Sequence, residues 1–259
     1  MMLGLRAMRT AALAAVLVAP LALNTSPAIA QSGADGAWEQ ILREKGVSRN
    51  ATYNRRVERV AERILEAADQ NPREWQFAVI DDDTPNAFAL PGGQIGVHAG
   101  LFKVAKTDDE LAAVIGHEVA HVTQEHGRQR MQRGTLLELG LGILGTAFDI
   151  DQNIARAAGM AATLGLVLPF SRDQEAQADD VGLRYMARAG YDPRAAVRVW
   201  QKFEDMGEAP PEFLATHPAP GHRATNLQEL MPEVMDTYRQ RSRTIDVTRD
   251  EREWRLNLD

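Results

Sequence analysis

His117-Glu118-Val119-Ala120-His121 sets two imidazoles four residues apart with a carboxylate between them. On a helix, residues four apart lie about 40° apart around the axis, so both rings leave one face and can share a metal ion. Glu118 follows His117 directly and can reach a water on that ion. Zinc makes such a water acidic near neutral pH; Glu118 then accepts its proton and passes it to a leaving amine, which is the chemistry of peptide-bond hydrolysis. The competing reading is an ordinary helix face whose polar groups are solvated or satisfied in the core.

Two histidines leave a zinc site short of its third protein ligand. The chain has no cysteine, so that ligand is His, Asp or Glu, and cysteine–zinc sites, thiol nucleophiles and disulfides are excluded. His126 follows His117 by nine residues, about half a turn around a straight helix, and is expected to point away as a surface residue. Glu175 is the better candidate, with Asp179 four residues on and on the same face. One of these carboxylates can bind the metal while the other accepts the free N–H of a ligand histidine and fixes its tautomer. The alternative for Glu175 is a solvated helix acid.

The elements that carry these residues are marked locally. Thr107 and Glu110 form a capping box, with Asp108 and Asp109 at the positive dipole end, and the apolar spacing of Leu111, Val114, Ile115, Val119 and Val122 predicts a helix running to about Arg133. Ser171 and Gln174 form a second capping box for a helix ending at Gly190, and Asp192-Pro193 supplies an N-cap and N1 proline for a third helix that stops at Gly207. Upstream, Val57, Val60, Ala61, Ile64, Leu65 and Ala68 define an amphipathic helix over 50–70. Trp75 to Ile80 reads as a strand. Asn86–Leu90 and Gln94–His98 read as a hairpin through a type II turn at Pro91-Gly92-Gly93. A short helix is expected over 223–230, followed by a charged tail. The fold class is α+β: helix-rich, with one small β-sheet beside the HExxH helix.

The 259 residues are 25% charged and 44% hydrophobic, the balance of an ordinary globular protein, which excludes low-complexity and collagen-like chains. Net charge is −7, and the first thirty residues contribute only Arg6 and Arg9, so the remainder carries −9. An acidic chain with no dense basic stripe has no footprint for nucleic acid. Residues 1–30 have the form of a secretory signal peptide: two arginines, an apolar run of about 13 residues where a membrane span needs about 20, and Ala28-Ile29-Ala30 ahead of the cleavage point. Export to a bacterial periplasm is the expected localisation. The organisation expected is signal peptide 1–30, linker 31–37, one domain over 38–235 and a charged C-terminal tail over 236–259.

HEVAH, followed about fifty residues later by Ser171-Arg172-Asp173-Gln174-Glu175-Ala176-Gln177-Ala178-Asp179, resembles the gluzincin zincin-like metallopeptidases of the family that includes the CAAX prenyl endopeptidase and the bacterial beta-barrel assembly-enhancing protease. The likeness extends to Asn86–Gly93 and to Thr216-His217-Pro218 with Arg223, so it covers most of the chain from about 50 to 232. It implies one zinc ion (Zn2+) per chain held by His117, His121 and Glu175, with Glu118 as general base and Asp179 behind a ligand histidine. It also implies that His217 lies close to the metal, either stabilising the oxyanion or occupying the open metal position and holding the enzyme latent, with Arg223 supporting that loop. An edge strand beside the catalytic helix would pair with an extended peptide, and Asn86 and Ala87 would supply part of that contact or only shape the turn. The implied function is a periplasmic zinc endopeptidase acting on misfolded or unassembled envelope proteins in quality control. The rivals are a latent, chaperone-like protein-binding module with zinc blocked by His217, and a structural zinc module with four closed ligands.

Two features mislead. Gly140 to Gly145 matches GxGxxG, but no strand precedes it and the strand–helix–strand unit is missing, so a dinucleotide site is rejected. The apolar stretches Thr135–Phe148 and Ile154–Phe170 are each too short to span a bilayer. They are expected to be buried, to cover the cleft, or to make a peripheral membrane contact through 135–170.

Overall fold

A computed structural model describes residues 27–130, 132, 169–206, 217 and 223–256. Most of the leader, the glycine motif at 140–145, the apolar stretches of 135–170 apart from Pro169 and Phe170, and residues 207–222 apart from His217 lie outside the described residues. Among the described residues, no helix is long and apolar enough to cross a membrane.

The chain opens with α1 (Pro27–Lys45), which includes residues 31–37 and so replaces the expected linker by helix. Four of residues 28–37 are alanine, the strongest helix former, and the helix is anchored further on where Trp38 buries beside Leu90 and meets Phe88 edge-on. Asn50 then caps α2 (Ala51–Ala67), accepting the backbone N–H groups of Thr52 and Tyr53. Its six expected core positions are all buried.

Three strands follow: β1 (Gln76–Ile80), β2 (Ala87–Leu90) and β3 (Gln94–His98), in the spatial order β1-β3-β2. β3 pairs parallel with β1 and antiparallel with β2, which leaves β2 at an edge. The hairpin turn differs from expectation. Gly93 carries the positive φ of 85°, Gly92 does not, and Gly93 N–H donates to the Leu90 carbonyl at 3.0 Å. A type II turn needs its left-handed residue one position earlier; this is the three-residue loop that ends in a left-handed glycine.

The helical layer consists of α3 (Asp108–Thr123), α4 (Arg172–Ala189), α5 (Arg194–Asp205) and α6 (Arg223–Leu256). Both predicted capping boxes are formed in full. Asp192 accepts the Arg194 N–H at the start of α5. Two expectations fail. α3 stops at Thr123 and helical structure resumes only at 126–130, because Glu125 adopts a φ of 57°. The short helix over 223–230 and its charged tail form instead a single 34-residue helix with Pro232 inside it. Leu227 and Val234, on either side of that proline, are both buried in the main core, so packing against α4 and α5 outweighs the lost backbone hydrogen bond.

Glu110 ties α3 to α5. One carboxylate oxygen accepts the backbone N–H groups of Lys106 and Thr107, and the other lies 2.6 Å from the Lys202 ammonium. Burial pushes this carboxyl up, but Lys202 and the Thr107 and Lys106 N–H groups outweigh it and hold it below the ordinary glutamate value. A depressed carboxyl stabilises the fold above its unfolded-state pKa of about 4.3, and that stabilisation disappears as pH falls through the folded-state value. Glu110→Gln is therefore expected to lose about 1–3 kcal/mol at pH 7. Urea unfolding of both proteins from pH 7 to pH 3 should show the gap closing below pH 4; a gap independent of pH contradicts this assignment.

Candidate metal centre

α3 and α4 cross at a pair of glycines. A Cβ on Gly182 would lie 2.9 Å from the Gly116 carbonyl carbon and from the His117 backbone nitrogen, so this approach requires hydrogen at Gly182, and a Cβ on Gly116 would be tight at 3.1 Å from the Gly182 carbonyl oxygen. The crossing brings the His117–His121 face of α3 against the Glu175–Asp179 face of α4. His217, and Arg223 at the start of α6, close the cluster. All of these side chains are buried, with Glu118 beside them.

The donor atoms converge. Nε2 of His117 and Nε2 of His121 stand 2.9 Å apart. Glu175 places Oε1 at 3.3 Å from His121 Nε2 and Oε2 at 3.5 Å from His117 Nε2. His217 Nδ1 lies 3.0 Å from Glu175 Oε1 and 3.3 Å from His117 Nε2. One ligand atom from each of His117, His121, Glu175 and His217 falls within 4.8 Å of all the others. His217 Nε2 also lies 3.4 Å from Glu118 Oε1.

Electrostatics fit the same cation. Asp179 Oδ1 lies 3.0 Å from His117 Nδ1, where it can accept that N–H and turn the Nε2 lone pair inward, and Arg223 Nη2 stands 2.9 Å from the same ring nitrogen. The two Nε2 atoms, 2.9 Å apart, share one proton in the metal-free protein; with that proton gone, both lone pairs point at the same spot, where a cation would take its place. With the ligand histidines neutral, as metal binding requires, the three carboxylates of the cluster (Glu118, Glu175, Asp179) against the guanidinium of Arg223 leave two negative charges, the balance a divalent cation closes. Glu118 Oε1 and Glu175 Oε2 are both buried without a hydrogen bond.

The same field sets the protonation of each group. Burial and Arg223 push the His117 imidazolium down, but Asp179 and Glu175 more than reverse this and hold it up at about 9. Burial, and then the neighbouring His117, push His121 well below the ordinary value. Burial raises Glu118 against the pull of His217 and His117. Burial also raises Glu175 and Asp179, and is outweighed at Glu175 by the three histidines and at Asp179 by Arg223 and His117.

Arg223 braces both acids. Nε donates to Asp179 Oδ2 at 2.6 Å, Nη2 to Asp179 Oδ1 at 2.7 Å, and Nη1 lies 3.1 Å from Glu175 Oε2. Its guanidinium carbon sits 3.8 Å over the ring of Trp200, on α5. Trp200 also meets His117 edge-on, a contact that nothing in the spacing of α5 announces.

His126 corrects the sequence reading. It lies outside the four-residue donor group but is no surface residue: it is 1% exposed, with Nδ1 at 3.0 Å from His121 Nδ1. The break at Gln124-Glu125 resets the helical phase, so extrapolating a straight helix misplaces it. Phe170, just before α4, stacks on the His121 ring at 3.8 Å. An open cleft of about 250 Å³ runs past it, lined by His121, Thr123, Phe170, Ala89 and Pro91. Edge strand β2 thus lies beside the cluster. Ala87 opens that strand and is buried, while Asn86 precedes it and keeps a buried Oδ1 without a hydrogen bond.

Residues 51–231 match the model for peptidase family M48. The chain is 32% identical over 208 residues to the mitochondrial metalloendopeptidase OMA1 of Schizosaccharomyces pombe, covering 78% of this chain and 60% of that protein. It is 37% identical over 169 residues to the protein of the same name from Arabidopsis thaliana, covering 64% and 34%. Against the beta-barrel assembly-enhancing protease of Escherichia coli it is 31% identical over 204 residues, covering 71% and 41%. The chain thus spans three fifths or less of the length of these curated relatives.

Proposed function

The chain belongs to peptidase family M48, and from that premise we propose that it is a zinc-dependent endopeptidase. The observation that carries this reading is the convergence of His117, His121 and Glu175 beside a buried carboxylate, Glu118, whose Oε1 has no hydrogen bond. His117, His121 and Glu175 would hold the ion, which supplies Lewis acidity that lowers the pKa of water and polarises a carbonyl. Glu118 takes up a proton at its free oxygen and releases it to the leaving nitrogen; burial, by raising its carboxyl, suits it to both halves of that transfer. Asp179 keeps the Nδ1–H of His117 in place, and Arg223 keeps Asp179 in place.

Substrate would enter as an extended chain along β2, adding main-chain hydrogen bonds at the sheet edge and requiring little side-chain recognition. Asn86 and Ala87 lie at the start of that edge; both are buried, and Asn86 Oδ1, without a hydrogen bond, would meet a peptide N–H only if substrate entry uncovers it. Unfolded or unassembled polypeptides of the cell envelope are the substrates, by analogy with proteins named for beta-barrel assembly. The leader pattern of residues 1–30 supports export to the periplasm.

The position of His217 among the donors supports a second reading, in which it acts as a fourth ligand and keeps the enzyme latent. Purified protein is expected to contain one zinc per chain and to cleave casein, with a chelator abolishing cleavage and zinc restoring it. Cleavage unaffected by complete zinc removal refutes the proposal. His217→Ala separates the two roles: faster cleavage identifies a blocking ligand, and slower cleavage identifies a group that stabilises the oxyanion.

A further inference from the structure

We propose that His126 is a positioning residue for the metal ligand His121: it accepts the Nδ1–H of His121 and so fixes the tautomer that turns Nε2 toward the ion. This rests on His121 being a ligand, as proposed above. The two ring nitrogens face each other at 3.0 Å, inside the buried cluster. A neutral imidazole has one donor nitrogen and one acceptor, so such a contact works only if the two rings take complementary tautomers.

A chain of side chains reaching the surface decides which. Gln177 Nε2 donates to Gln124 Oε1 at 2.9 Å, which turns Gln177 Oε1 toward His126 Nε2 at 3.0 Å. With the two amides in these orientations Gln177 Oε1 accepts, so His126 carries its hydrogen on Nε2 and offers a lone pair at Nδ1. His121 must then donate from Nδ1, leaving its own Nε2 free to bind a metal. The direction runs from the centre outward: His121 to His126 to Gln177 to Gln124.

The two ligand histidines are therefore oriented by different chemistry. His117 Nδ1 is held by a carboxylate, Asp179, itself paired with Arg223. His121 Nδ1 is held by a neutral ring. A second orienting carboxylate would add a third net negative charge to a cluster already balanced for a divalent ion. The left-handed turn at Glu125 makes the neutral solution possible by bringing the next helical stretch back over His121. Ligand-orienting partners of this kind typically account for about 10–100-fold in metal affinity.

The test uses the full chain loaded with zinc and competed against a chromophoric chelator. His126→Leu is expected to bind zinc about 10–100-fold more weakly. His126→Asn, whose Oδ1 stands where the imidazole Nδ1 stood, is expected to recover most of that affinity. Unchanged affinity in His126→Leu, or equal losses in both variants, overturns the proposal. A long-range 1H–15N correlation on zinc-loaded wild type needs no variant to fold: Nε2–H on His126 with Nδ1–H on His121 is expected, and Nδ1–H on His126 overturns it. His121→Ala reports on the premise. If it binds zinc as tightly as wild type, His121 is no ligand and both readings fall. If it loses zinc while His126→Leu does not, only the present proposal fails.

Discussion

Glu118→Gln is expected to slow peptide-bond cleavage about 10²–10⁴-fold, the usual contribution of a positioned general base, while the protein still carries one zinc per chain. The amide has the shape of the carboxylate and fills the same buried space. None of the donors His117, His121, Glu175 and His217 is altered, so the metal is retained. What disappears is an oxygen basic enough to take up a proton, at a position where Oε1 makes no hydrogen bond and His217 Nε2 stands 3.4 Å away. KM should change little, because the side chain binds no remote part of the substrate. Turnover and zinc content measured on the same preparation decide the point. Cleavage within tenfold of wild type, with zinc in place, would remove Glu118 from the reaction; loss of zinc together with activity would make it a group that shapes the metal site.

The centre was legible in the sequence where its parts are local, and illegible where the chain must turn before they meet. His117 and His121 share a face because four residues of helix place them there, and a capping box announces that helix. Glu175 and Asp179 follow the same rule on α4, so the two halves could be read separately. Their meeting depends on Gly116 against Gly182, a pair with no helical pattern to join it. His126 was misplaced because Glu125 adopts a left-handed conformation without a glycine or proline to mark it. Nothing local marks Trp200 or Phe170; one supports Arg223 and the other stacks on His121 only through tertiary packing. The length of α6 was missed for the opposite reason: Pro232 is a local stop signal that burial of Leu227 and Val234 overrides.

Arg223→Leu is expected to destabilise the metal-free protein by about 3–5 kcal/mol, because it strands carboxylates in a buried site. Asp179 loses two charge-assisted hydrogen bonds and Glu175 its nearest cation. Zinc should reduce the deficit, since the ion compensates Glu175 while Asp179 keeps the His117 N–H. Urea unfolding of wild type and variant, with chelator and then with zinc, gives both differences. A deficit under about 1 kcal/mol in chelator, or one that zinc leaves unchanged, contradicts the assignment. Removing both partners separates stability from metal binding. With Asp179→Leu added to Arg223→Leu, one fewer buried carboxylate is stranded, and much of the lost stability should return. Zinc affinity should not return with it, because His117 then has no acceptor for its Nδ1–H, a loss of about 10–100-fold. A double variant that recovers fold but not metal would show that the buried Arg223–Asp179 pair is kept for the orientation of one imidazole rather than for the stability of the core.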